Sequence, residues 1–251
     1  MIRWGLAIVF AVCMTAPSMA GGKFLVGVED IRYYPQYSTN NGIYTGYGRS
    51  VLDGFAKSRG YEFEYIPLPV LRLYERFFKT DELDFKYPDN PDWQRSLRPV
   101  RDIWYSEQIS EAYDGVMVLP LRKRMEVEQL RVLGTVRGFT ATRYENLIDS
   151  GQVELVYTDD YLSLIEMVLQ GRVDGGFGCL AVARYNLEHM ERSPEALTLA
   201  PNLPYTRVAY RLSTRKHPRI IRELNEYLQT NKERLKLLLD RYGLGRRIRK
   251  P

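Results

Sequence analysis

Asp84-Phe85-Lys86-Tyr87-Pro88-Asp89-Asn90-Pro91-Asp92-Trp93-Gln94-Arg95 starts as a buried strand and then breaks into a stiff, acidic loop. A strand that ends abruptly in polar, turn-forming residues is how an open α/β sheet presents a ligand site at its carboxyl edge. Immediately before it, Val70, Leu73, Tyr74 and Phe77 repeat at i, i+3, i+4, i+7, which specifies an amphipathic helix. Further upstream, Glu62-Phe63-Glu64-Tyr65-Ile66 alternates as a half-covered strand does. Val51, Leu52, Phe55 and Ala56 share a helix face that Gly60 would stop. Phe24-Leu25-Val26-Gly27-Val28 reads as a first buried strand, followed by a tyrosine-rich loop carrying Tyr33, Tyr34, Tyr37, Tyr44 and Tyr47. The order β-loop-α-β-α-β predicts a parallel sheet with covering helices.

Downstream the pattern restarts. Gly115 to Leu119 is a strand ended by Pro120, and Leu130 to Val136 is another. A helix is expected to begin near Thr140, with Thr142 and Glu145 in capping-box spacing. A strand at Val153–Tyr157, a helix through Leu164, Ile165, Val168 and Leu169 stopping at Gly171, and a strand edge at Val173–Gly178 complete a second α/β set. Val208–Leu212 is a late strand, and the rest is helical, with Pro218 at one helix start and Gly243 at a stop. Two similar units followed by a tail without a unit of its own suggest two lobes crossed twice by the chain. Residues 21–114 with 213–251 would form lobe 1, and 115–212 lobe 2. The cleft between them is the natural site.

Composition narrows the class. Arg3, the apolar run Leu6–Met14 and Ala16-Pro17-Ser18-Met19-Ala20 read as a signal peptide cut after Ala20, residues 1–20. The run is too short to span a bilayer, which disfavours a membrane anchor, and Val12 before Cys13 disfavours lipidation. Of the two cysteines, only Cys179 would remain, so a disulfide framework and a cysteine zinc site are excluded. The net charge of +5 is mild. The basic run Arg246-Arg247-Ile248-Arg249-Lys250 is terminal, so it reads as a solvated tail rather than a polyanion contact.

Val26-Gly27-Val28, Tyr34-Pro35, Gly46-Tyr47, Leu169-Gln170-Gly171-Arg172-Val173-Asp174, Pro204-Tyr205 and Asp240-Arg241-Tyr242-Gly243 stand in a characteristic order. Through them the chain resembles the periplasmic solute-binding proteins of family 3, the amino-acid-binding type, over nearly all of its length after the signal peptide. The resemblance implies a two-lobed type II periplasmic-binding-protein fold with two crossover strands as a hinge. It also implies site residues. Arg95 stands where the family's arginine pairs with a ligand carboxylate, a role that suits a planar guanidinium. Here, however, the motif's threonine is Asp92, and Arg95 could instead serve Asp89 or Asp92. Gly138-Phe139-Thr140 stands where a turn at a helix N-terminus holds the same carboxylate. Cys179 stands where the family's aspartate takes the ligand ammonium. A thiol cannot offset that charge, so Asp89 or Glu107 would have to supply it, or the ligand is not an ordinary α-amino acid. Cys179 itself reads as a buried filler. Among the aromatics, Tyr34 and Trp93 are the expected site residues, suited to clamp rings or cations.

The function this implies is a periplasmic receptor that closes on a small amine- or carboxylate-bearing solute and delivers it to an inner-membrane ABC permease. It would act as a monomer, with no cofactor, metal or nucleic acid. Docking on a membrane sensor is the alternative output. A periplasmic dehydratase is a further alternative, with little in its favour. His189 and His217 are isolated, Asp84 and Asp174 look like strand-end caps, and no hydrolase or phosphate-binding motif occurs.

Overall fold

The computed structural model describes residues 21–99 and 103–247. The predicted signal peptide and Ile248-Arg249-Lys250 of the basic run lie outside the described residues. The apolar run after the predicted cleavage site forms β1 (Lys23–Glu29), whose last four residues are buried. The tyrosine-rich stretch is not the loop expected. It folds into a small antiparallel sheet of β2 (Arg32–Tyr33), β3 (Tyr37–Asn40) and β4 (Ile43–Thr45). Strands of two to four residues are too short to show a period in sequence.

The next elements follow the expected order. Helix α1 (Tyr47–Arg59) buries Val51, Leu52, Phe55 and Ala56. It ends at Gly60, whose φ of 71° lets its amide reach back to the last-turn carbonyls. Strand β5 (Glu62–Leu68), α2 (Val70–Lys79) and β6 (Phe85–Asp89) come next. Helix α2 packs Leu73, Tyr74 and Phe77 inward, and β6 is buried along its whole length. After a 3-10 turn at Arg95–Leu97, β7 (Trp104–Tyr105) and the long β8 (Ser110–Val118) carry the chain into the second lobe.

There, β9 (Val132–Val136), α3 (Glu145–Asp149), β10 (Glu154–Thr158), α4 (Tyr161–Leu169), β11 (Gly175–Cys179) and α5 (Leu180–His189) build the second α/β set. The helix expected at Thr140 begins only at Glu145 and has five residues. Arg143, at φ 75°, turns the chain out of helical geometry, and the proposed Thr142 cap is not made. Short β12 (Thr198–Leu199) and long β13 (Thr206–Thr214) follow. The chain then closes with α6 (Pro218–Thr230), α7 (Lys232–Arg241) and α8 (Leu244–Arg247).

The main sheet runs β10-β9-β11-β8-β13-β6-β1-β5, with β12 beside β8 and β7 beside β13. Strands β5, β1 and β6 are mutually parallel, as are β10, β9 and β11. Strands β8 and β13 join the two sets. From Thr206 to Tyr210, β13 pairs antiparallel with β8, and from Arg211 to Thr214 it pairs with β6 and β7. The boundaries expected at 114/115 and 212/213 fall inside these two strands. The strand-end caps form as expected. Asp84 accepts the Leu25 amide and faces His217 Nε2 at 2.9 Å. Asp174 accepts the Arg131 and Val132 amides.

Candidate functional site

A cavity of about 20 Å³ opens at the carboxyl end of β1, between the lobes, and has room for one or two waters. The first lobe supplies Glu29, Tyr33, Tyr37, Tyr74 and Trp93, and the second supplies Gly138, Phe139, Thr140 and Phe177. Asp114 and Tyr210 come from the strands that join them.

Local geometry explains each placement. Tyr33 stacks on Tyr37 with ring centroids 5.1 Å apart, and its edge contacts with Phe139 and Tyr161 cross to the other lobe. The Tyr33 hydroxyl accepts the Cys179 amide at 3.2 Å, and the Tyr161 hydroxyl donates to the Cys179 carbonyl at 2.9 Å. Trp93 lies against Tyr210, with centroids 5.7 Å apart. Gln94, at φ 45°, bridges the cleft, its N–H on Thr140 Oγ1 at 3.1 Å and its Nε2 on the Gly138 carbonyl at 2.8 Å.

Two carboxyls face this space, and neither was singled out from the sequence. Glu29, the last residue of β1, is buried and accepts the Tyr37 hydroxyl. Burial raises its pKa, against the pull of Lys86 and Tyr37. Asp114, in mid-β8, is 8% exposed, and its Oδ1 has no hydrogen-bond partner. Burial first, and Glu29 second, push its carboxyl up to about 7. Asp114 pairs in register with both Cys179 on β11 and Thr206 on β13, so the three side chains share one sheet face. The signals were there: an acid ending the first strand, and a lone acid inside the apolar strand Ala112–Val118.

Of the residues expected from sequence, Trp93, Phe139 and Thr140 line the cavity, and Arg95, Tyr34, Asp89 and Cys179 do not. Gln94 takes the place facing Thr140 and turns the chain, leaving the Arg95 side chain 75% exposed and paired with Asp92. Tyr34 lies in the turn after β2, on the far side of Tyr33 from the cavity wall. Its ring lies 4.7 Å from that of Tyr185 and 5.8 Å from that of Tyr242. Asp89 is wholly buried in an ion network, with Lys86 Nζ at 3.2 Å, Arg98 Nη2 at 2.7 Å and Ser213 Oγ at 2.6 Å. Burial would raise its pKa, but Lys86 and Arg98 outweigh that and hold it below the ordinary value. Among the described residues the buried arginine of this region is Arg98, whose donors are taken by Asp89, Asn90, Trp93 and Tyr105. Glu107, exposed, bonds Asn225 and Gln229 on α6. Cys179 is buried, and burial pushes its thiol up to about 12. Among the described residues, no cluster of histidine, cysteine, aspartate and glutamate is placed to hold a metal. No helix among them is long and apolar enough to cross a membrane.

No family model and no curated protein matches this chain. Solved structures do. An ancestral arginine-binding protein bound to arginine superposes with a TM-score of 0.70 at 16% identity, covering 88% of this chain and 97% of that one. The amino acid ABC transporter substrate-binding protein AbpA of Streptococcus pneumoniae, bound to L-arginine, gives 0.69 at 17% identity over 91% and 97%. The ancestral amino acid-binding protein AncCDT-1, a precursor of cyclohexadienyl dehydratase, gives 0.67 at 18% identity over 88% and 95%. The fold is thus the two-lobed type II periplasmic-binding-protein fold that the sequence resemblance implied.

Proposed function

We propose that the protein is an exported solute receptor of the family 3 kind, which closes its two lobes on a small amine-bearing solute. The observation that carries this reading is the cavity itself, walled by both lobes and floored by the strands that join them. A type II fold brings such walls together by bending at its crossover strands. The arginine-binding neighbours add weight, since both bind an amino acid in the same architecture. Residues 21–114 with 213–251 act as one lobe and 115–212 as the other, with β8 and β13 flexing. The closed form delivers its solute to an inner-membrane ABC permease, or docks on a membrane sensor.

Thermal shift against amino acids, amines, organic acids and sugars tests the reading. A ligand at a hundred times its Kd adds about 2.7 kcal/mol of stability. Silence across the whole set counts against a receptor role.

A second reading, an enzyme, draws on the two cavity carboxyls and on the dehydratase precursor among the neighbours. A group that titrates near 7 suits proton transfer. Mass spectrometry of a bound ligand after prolonged incubation separates the two, since a receptor returns it unchanged.

A further inference from the structure

We propose that the ligand of this cleft is a singly charged organic cation without an α-carboxylate, such as a primary amine on an aromatic or short aliphatic body, and that Asp114 is its charge partner. The proposal rests on the receptor reading and names the ligand class of that same site.

Three observations carry it. First, Asp114 Oδ1 is a buried carboxylate oxygen with no hydrogen-bond partner, on a side chain that lines the cavity. Buried polar atoms are nearly always satisfied, so an unsatisfied one facing a cavity marks a place for a donor. Second, among the described residues no arginine, lysine or histidine lines the cavity. Lys86 spends its ammonium on the Pro88 carbonyl, on Asp89 and over the Tyr74 ring, and Arg98 is bound by Asp89 and three further partners. The Thr140 hydroxyl accepts from Gln94, and Arg95 is on the surface. A ligand carboxylate would meet Glu29 and Asp114 with no cation to balance it, at the cost of burying an unpaired charge.

Third, among the described residues the buried charges of the region are three carboxyls, Glu29, Asp89 and Asp114, against two cations, Lys86 and Arg98. One added positive charge balances an ionised Asp114, whereas a zwitterion adds none. The walls suit such a guest. Tyr33, Tyr37, Trp93 and Tyr210 supply aromatic walls, which suit an apolar body and an organic cation.

Calorimetric titration with matched pairs tests the proposal: 2-phenylethylamine against phenylalanine, and isoamylamine against leucine. The members of each pair differ only by the carboxylate. At least one amine is expected to bind about tenfold or more tightly than its amino acid. Asp114→Asn, with folding checked by its melting curve, is expected to weaken that amine by at least about tenfold. Should Asp114→Asn fail to fold, Asp114→Ser serves, with the same weakening of amine binding expected and wild-type amine affinity overturning the proposal. Amino acids binding as well as their amines, or an Asp114→Asn variant with wild-type amine affinity, overturn the proposal and leave the receptor reading standing. A ligand found only among organic acids or sugars does the same. Silence from every compound class overturns both.

Discussion

Gln94 donates its main-chain N–H to Thr140 Oγ1 at 3.1 Å, and in doing so closes the cleft one residue short of the arginine expected there. Its side chain doubles the link through the Gly138 carbonyl at 2.8 Å. The turn expected to hold a ligand anion is therefore held by the opposite lobe.

Cutting this link should favour the open form. A net hydrogen bond contributes about 0.5–1.5 kcal/mol, so Thr140→Val should weaken ligand binding by roughly three- to tenfold. Small-angle scattering of the free protein should show a larger radius of gyration. Unchanged scattering and affinity would mean that the latch has no energetic weight.

Gly138→Ala attacks the same contact by steric means. Gly138 sits at φ 94°, and an added Cβ would lie 2.7 Å from Val70 Cγ1 across the cleft. Left-handed strain and the clash together should cost more than about 1 kcal/mol and hold the lobes apart. A melting temperature equal to that of the parent would contradict this.

Two arginines three positions apart should behave oppositely. Arg98 neutralises a buried carboxylate, so Arg98→Ala should destabilise the fold by about 3–5 kcal/mol in denaturant titration. Arg95 makes an exposed pair with Asp92, so Arg95→Ala should change stability by less than about 0.5 kcal/mol and leave ligand affinity intact. Loss of binding in the Arg95 variant would restore it to the site.

Asp114 makes stability fall as pH rises. Its unfolded carboxyl ionises near 3.8 and its folded one at about 7, so the stability it contributes is full at low pH and lost across that interval. Around it stand Glu29 on β1, Tyr33 on β2, Tyr161 on α4, Cys179 on β11 and Tyr210 on β13. Burial holds the three tyrosines and the thiol protonated well beyond neutrality. Glu29 is common to parent and variant, so their difference isolates Asp114. Relative to the parent, Asp114→Asn should gain up to about 4 kcal/mol between pH 4 and pH 8. A difference that stays flat over that range would show that the carboxyl is not desolvated.

The element order was legible because long helices and strands carry their periods openly: α2, α4 and α6 each present an apolar stripe. The structural roles of Asp84 and Asp174 were legible too, since acids at strand edges find free amides. The site was less so. Tyr33 ends a two-residue strand and Tyr34 already belongs to the turn after it, a boundary too short to show a period. Whether Arg95 or Gln94 faces Thr140 depends on one left-handed residue, which no apolar pattern announces. Asp114 belongs to the cavity only because β8 passes between the lobes, a matter of pairing rather than of local sequence.

That position has a mechanical consequence. Asp114 lies on a joining strand, near the axis about which the lobes would swing, whereas Trp93 and Phe139 sit out on the jaws. Points near a pivot travel little while the jaws travel far. In the receptor proposed above, the anchor is therefore in place before the mouth shuts, and the closing stroke follows from a guest already seated.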